Sequence, residues 1–144
     1  MFESLFGSKN KKLVKGWSKE HEKIVVLAHK IIAAYSIEDI ASLRQHLIDL
    51  RVIAINHIMT EDIEFYKLLK DESRLTPEIE KGIHEFVTSF EETKSLLRSF
   101  LRTYTQENAQ YDEKFFKTFN AIVDALGKRI EFEEKNLYSL LEQK

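Results

Sequence analysis

The chain has 144 residues, enough for one domain with a real core. Apolar residues make up 43% and charged residues 32%, which excludes a disordered chain. A net charge of −2, with no basic block beyond Lys9-Asn10-Lys11-Lys12, excludes a nucleic-acid footprint, and the lack of cysteine excludes disulfides, iron–sulfur clusters and Cys-based zinc sites.

One Pro and four Gly leave few helix breakers, so long helices are expected. No apolar run is long enough to span a bilayer, and the N-terminus has no apolar core of signal-peptide length. A cytoplasmic protein without a membrane span is the expectation.

Residues 1–16 read as a short N-terminal arm, with Phe2, Leu5 and Phe6 ahead of a basic stretch from Lys9 to Lys15. The remainder, 17–144, reads as one domain. The first helix is expected from about Ser18, as N-cap, to Tyr35. Its apolar seam is Trp17, His21, Ile24, Ala28, Ile31 and Tyr35. Ser36 and Asp39 resemble a capping box before a second helix that runs to about Lys70. That helix carries Leu50, Ala54, His57, Glu61, Phe65 and Leu68 on one face. A turn at Asp71-Glu72-Ser73-Arg74 follows. Thr76-Pro77-Glu78 then gives an N-cap, a proline at the first helical position and an acid in the first turn.

The third helix has its seam at Ile83, Val87, Phe90, Lys94, Leu97, Leu101 and Tyr104. The fourth, expected over about Ala109–Glu142, has Phe115, Phe119, Ile122, Leu126, Arg129, Glu133, Leu137 and Leu140. Four amphipathic helices joined by short turns make an all-α, antiparallel up-down-up-down four-helix bundle.

Polar residues interrupt these seams at His21, His57, Glu61, Arg129 and Glu133. In an antiparallel pair, residues equally far from the turn face each other, and at about 1.5 Å per residue this fixes the layers. His57 and Glu61 then face the third helix between Phe86 and Phe90. Arg129 and Glu133 face His84 to Thr88, and His21 lies within a turn or two of His57. All five fall in one slab. A buried imidazole or carboxylate must find a partner or cost about 2–7 kcal/mol. So the slab either holds a cation or neutralises itself. Histidine and carboxylate ligands projecting into a bundle core are how non-haem diiron sites are built, and they suit iron better than thiolate-seeking metals.

His57-Ile58-Met59-Thr60-Glu61-Asp62 with Phe65-Tyr66, His21 with Ile24 and Leu27, and Arg129-Ile130-Glu131-Phe132-Glu133-Glu134 with Leu137-Tyr138 resemble the hemerythrin-like (HHE cation-binding) family over about residues 17–142. The resemblance implies a His/carboxylate diiron centre in a four-helix bundle. Two departures stand out. Arg129 occupies the place of the family's fourth-helix His, and Phe90 that of the third-helix His. Arginine stays protonated and cannot ligate a metal. The resemblance therefore leaves His21, His57, Glu61 and Glu133 as ligands, with His84 and Glu91, beside the seam, as further candidates. The expected cofactor is iron, mono- or dinuclear, or none. The expected small ligand is O2 or NO, with iron sensing or storage as related roles.

The same departure supports an alternative. Arg129 can pair with Glu61 or Glu133 and replace the cation. Leu126-Gly127-Lys128-Arg129 running into Glu133-Glu134-Lys135 is similar to the last helix of the regulator-of-sigma-D anti-sigma proteins. That similarity implies a metal-free bundle with a protein partner. His29 and His46 read as interfacial or solvated. The phenylalanines read as core filling that can line a small apolar pocket beside the polar layer. No nucleophile–base pair or phosphate loop stands out, so a binding protein is expected rather than an enzyme.

Overall fold

Helix α1 spans Phe2–Ser36 and α2 spans Ile40–Lys70 in the computed structural model, which describes residues 2–70 and 76–138. The turn expected at Asp71–Arg74 and the chain after Tyr138, with Leu140, lie outside the described residues. So do the side chains of Phe65, Tyr66, Leu68 and Leu137, and those before Lys12. Ser18, expected as a cap, lies inside α1. No proline precedes Pro77, and the two glycines of α1, Gly7 and Gly16, cost a helix only about 1 kcal/mol each, too little to stop it.

Helix α1 ends in a Schellman motif. Glu38 takes a left-handed conformation at φ 58, Asp39 N–H donates to the Ala34 carbonyl, and Glu38 N–H donates to the Tyr35 carbonyl. Asp39 rather than Ser36 caps α2: its carboxylate accepts from the Ser42 backbone N–H at 3.2 Å. The Ser36 hydroxyl turns back to the Ile32 carbonyl instead.

The third helix is broken in two, α3 (Pro77–Ser89) and α4 (Glu91–Tyr104), at Phe90 with φ −96 and ψ 0. The break is mild, because Phe90 still donates to the Phe86 carbonyl and accepts from Lys94 N–H. Helix α5 (Glu113–Phe132) begins four residues later than expected. Asp112 caps it, accepting from Phe115 N–H at 3.0 Å. Glu133–Leu137 then form a π-helical turn, closed by Tyr138 N–H on the Glu133 carbonyl.

Contacts run in opposite senses along neighbouring helices. On α1 and α5, Tyr35 stacks on Phe116 while His21 meets Glu134. On α2 and α4, Arg51 meets Thr105 while Lys94 meets Asp62. The result is an antiparallel four-helix bundle. No helix among the described residues is long and apolar enough to cross a membrane.

The core comes from the expected seams: Ile24, Ile31, Leu50, Ala54, Leu97, Leu101, Phe119 and Ile122 are buried. At the end near the α1–α2 turn, Phe100, Tyr104, Tyr111, Phe115 and Phe119 form a chain of ring contacts with centroids 4.7–6.2 Å apart. Such pairs contribute about 0.5–1.5 kcal/mol each beyond the area they bury. They lock the register of α4 against α5, whose Arg129 reaches the polar layer roughly 21 Å further along from Phe115 at 1.5 Å per residue.

A non-glycine residue in the left-handed region is strained by about 1–2 kcal/mol, part of which glycine returns as extra unfolded-state entropy. Glu38→Gly is therefore expected to stabilise the protein by about 1 kcal/mol, read as a higher urea midpoint with an unchanged slope. An unchanged or lower midpoint contradicts the Schellman assignment.

Candidate metal centre

The five polar seam residues do converge. His21, His57, Glu61, Arg129 and Glu133 are each 3% exposed or less. The α-helical period puts His57 and Glu61 on the same face of α2, and their facing atoms lie 2.7 Å apart, Nε2 to Oε1. His21 Nε2 on α1 comes within 2.8 Å of His57 Nε2. Glu133 Oε1 is 4.0 Å from His21 Nε2. One donor atom from each of His21, His57, Glu61 and Glu133 lies within 4.8 Å of all the others.

These spacings come near those of a common cation, and donors as far as 4.8 Å apart must draw in by about 0.6 Å to share one ion. Ligands at about 2.1 Å from one ion lie about 3.0 Å apart at right angles and about 4.2 Å apart when opposed. The outer nitrogens add a second sign. His21 Nδ1 bonds Glu134 Oε1 at 3.0 Å, and His57 Nδ1 faces Glu20 Oε2 at 3.5 Å. A metal-ligating histidine carries its outer N–H on such a carboxylate, which leaves the inner lone pair for the ion. Glu133 Oε2 is buried without a hydrogen-bond donor, whereas Glu61 Oε1 has His57 Nε2 at 2.7 Å.

Arg129 sits beside this cluster. Its Nη2 bonds Asp62 Oδ1 at 3.1 Å, its Nε is 3.4 Å from Glu133 Oε1, and Nη2 is 4.0 Å from Glu61 Oε1. The guanidinium lies over Phe86 and Phe90, at 5.2 and 5.6 Å from the ring centres. Lys94 bonds the other oxygen of Asp62 and also Glu91. Burial and this arginine fill the side of the layer where the resemblance expects two more histidines. His84 is exposed, and the exposed Glu91 is taken up by Lys94, so both stand apart from the four-donor cluster. His29 is exposed and His46 half-buried.

Sequence reading quoted Tyr138 in a motif but gave it no place in the layer. Its hydroxyl bonds Glu61 Oε2 at 2.5 Å and lies 3.0 Å from His21 Nε2. An unbroken α-helix would carry the seam from Glu133 to residue 137. The π turn carries it one residue further, to Tyr138, and no periodicity in the sequence announces that shift. Trp17 closes the layer above, with its ring 6.3 Å from His57 and 5.6 Å from Tyr138. Asp62, Glu20 and Glu134 were also missed as partners. The signal for them was an acid adjacent to each seam donor, as in Glu20-His21, Glu61-Asp62 and Glu133-Glu134.

Burial shapes the electrostatics of every member. It lowers the His21 pKa, with His57 adding to the effect and Glu134 opposing it. Burial pushes the Glu61 carboxyl up, but hydrogen bonds with Glu133, His57 and Tyr138 outweigh it and bring it down to about 2. Burial, then the neighbouring Glu61, holds Glu133 well above the carboxylate range against the pull of Arg129. Burial and the Glu61 and Glu133 charges raise the Tyr138 phenol. Arg129 stays firmly charged, because Glu133, Glu61 and Asp62 outweigh its desolvation.

Residues 12–141 match the hemerythrin HHE cation binding domain. The four-helix bundle with its buried His/carboxylate cluster is the architecture of that class, and the chain belongs to this family. Comparison with characterised proteins and with solved structures finds no match.

Two expected outcomes follow for the metal-free protein. Arg129→Ala leaves buried carboxylates uncompensated and is expected to cost about 3–5 kcal/mol in urea unfolding; a neutral result contradicts the network. Glu133 has a folded pKa raised above its ordinary 4.5, so the stability tied to its proton is full below 4.5 and is lost as pH rises towards the folded value. Glu133→Gln keeps the shape of the protonated acid. Its stability relative to the parent should therefore grow as pH is raised above 4.5, and a pH-independent difference contradicts the shared proton.

Proposed function

We propose that the protein is a hemerythrin-like iron-binding protein that holds a single ion rather than a pair. The ligands are His21, His57, Glu61 and Glu133. The observation that carries this reading is the outward carboxylate on each histidine, Glu134 behind His21 and Glu20 facing His57, with both Nε2 atoms turned to one point. Two imidazoles and two carboxylates are a donor set that suits ferrous or ferric iron. Bound iron would supply the reversible ligand chemistry by which the protein senses O2, NO or iron itself. The chain's own residues do the rest. Glu134 fixes the His21 ring through its hydrogen bond, and Glu20 stands 3.5 Å from His57 Nδ1 without bonding it, near enough to close on a charged layer. Tyr138 bonds Glu61 Oε2 and leaves Oε1 turned to His57. Trp17 and Phe86 shut water out of the layer.

Arg129 limits the site to one ion. Its fixed charge lies 3.4 Å from Glu133 and 4.0 Å from Glu61, on the side where a second cation would need its ligands. Repulsion between unit charges at such distances is several kcal/mol at an effective dielectric of about 20.

A second reading is favoured by the same residue. Arg129 already pairs with Asp62 and Glu133, so the layer can stand without metal, and the bundle surface then serves a protein partner. The first measurement separates the two. Protein grown with iron is analysed for metal content and recorded from the near-ultraviolet into the visible. About one iron per chain, lost in His57→Ala, supports the single-ion site. Added ferrous iron should then raise stability by about 2.7 kcal/mol at a hundredfold excess over its dissociation constant, and do nothing for His57→Ala. About two irons would overturn the limit set by Arg129. No iron in a folded, stable protein would favour the metal-free reading.

A further inference from the structure

A slot between α1 and α5 opens into the core about one helical turn from the polar layer. Ile24 on its wall follows His21 by three residues, and Leu126 precedes Arg129 by three. The cavity behind the slot measures about 130 Å³. Leu97, Phe100, Phe119 and Ile122, all buried, form its floor. Val25, His29 and Gly127, all exposed, frame its mouth. The lining is apolar apart from His29 at the rim.

Interiors are close-packed, and an unfilled void forfeits contacts on every atom that lines it. Ala28, among the smallest residues of the α1 seam, stands where a larger side chain would fill this one. Gly127 carries the second observation. It lies inside α5, where glycine is unfavourable relative to alanine, and a Cβ there would meet no atom within 4 Å. Packing therefore does not require glycine at this position. An added Cβ would stand in open space, so only a longer side chain at this position would reach across the mouth.

We infer that this cavity is a binding site for one small, uncharged apolar molecule, up to the size of a single aromatic ring, which enters between His29 and Gly127. The size and chemistry of the cavity set the class. A void of about 150 Å³ lined by Leu, Ile and Phe stays dry and takes benzene or xenon, whereas water needs polar partners that this lining lacks. The site stands on its own geometry and does not depend on whether iron is bound.

The test uses the full chain with xenon and benzene as probes. Xenon pressure should produce saturable shifts in the methyl resonances of Ile24, Ile122 and Val123. The methyls of Val52 and Ile53, on the outer groove of α1 and α2, should not move. Benzene should raise the melting midpoint by several degrees. Ala28→Met fills the cavity and should abolish both responses, while Gly127→Leu narrows the mouth and should slow benzene exchange without removing its binding. Absence of saturable xenon shifts in the parent protein overturns the site, as does a benzene response that survives Ala28→Met. Should that variant fail to fold, the methyl map of the parent protein decides alone.

Discussion

Two buried imidazoles face each other with their Nε2 atoms 2.8 Å apart, and the rest of the bundle is arranged so that they can. Such a pair meets as one N–H donor and one lone-pair acceptor, and which ring donates is set by the tautomer that its outer nitrogen imposes. The protein resolves this by committing His21 Nδ1 to Glu134 and turning His57 Nδ1 to Glu20, at the half-exposed edge of the layer. The inner nitrogens are thereby aimed at one point, with Glu61 and Glu133 beside them. That arrangement tolerates little slippage between α1 and α2. The aromatic chain at the opposite end, from Tyr104 through Phe115 to Phe119, ties α4 to α5, and Tyr35 on α1 joins it through Phe115 and Phe116. An apolar end that aligns and a polar layer that functions are two consequences of one seam.

The π turn is the local device that completes the layer. By inserting a residue into the helical period, it brings Glu133 and Tyr138, five apart, to the same interior. It also leaves Glu134 next to His21 from the outside. A regular α-helix separates residues five apart by well over a quarter turn, and Glu133 and Tyr138 could not both reach His21. π turns persist where the side chains they re-aim are needed, because their hydrogen-bond geometry is poorer than that of the α-helix they interrupt.

The fold and the cluster were legible in the sequence because both rest on a 3.6-residue period. His21, His57, Glu61, Arg129 and Glu133 stood out as polar members of apolar seams, and counting from the turns brought them to one level. What was not legible came from departures from that period. Tyr138 lay one residue past the expected seam position because of the π turn. The break at Phe90 is a single residue's change in ψ, with nothing in its side chain to signal it. Asp39 took the capping role from Ser36, and Asp112 caps a helix expected to start near Ala109, because a cap is chosen by where the backbone leaves the helix, and several polar residues near each turn could serve. Glu20, Asp62 and Glu134 look like surface acids in sequence. Only the approach of another helix makes them partners of buried groups.

The charges in the layer bear on both proposed states, metal-bound and metal-free. Lys94 answers Asp62 at the edge, and Arg129 answers one carboxylate of the Glu61–Glu133 pair. With Glu133 protonated and Glu61 ionised, the interior is neutral and needs no ion. A divalent cation can enter only by displacing that proton, since a ligating carboxylate must be deprotonated. Proton and metal then compete for one group, and Arg129 favours neither outright: its charge lowers the cost of ionising Glu133 and raises the cost of placing a cation nearby. The half-exposed Glu20 and Glu134, one behind each histidine, tilt the balance, because their charges pull a cation in while solvent carries their desolvation. In this chain, therefore, what decides between a metal centre and a self-neutralised core is not the four donors alone. It is the two acids standing outside them.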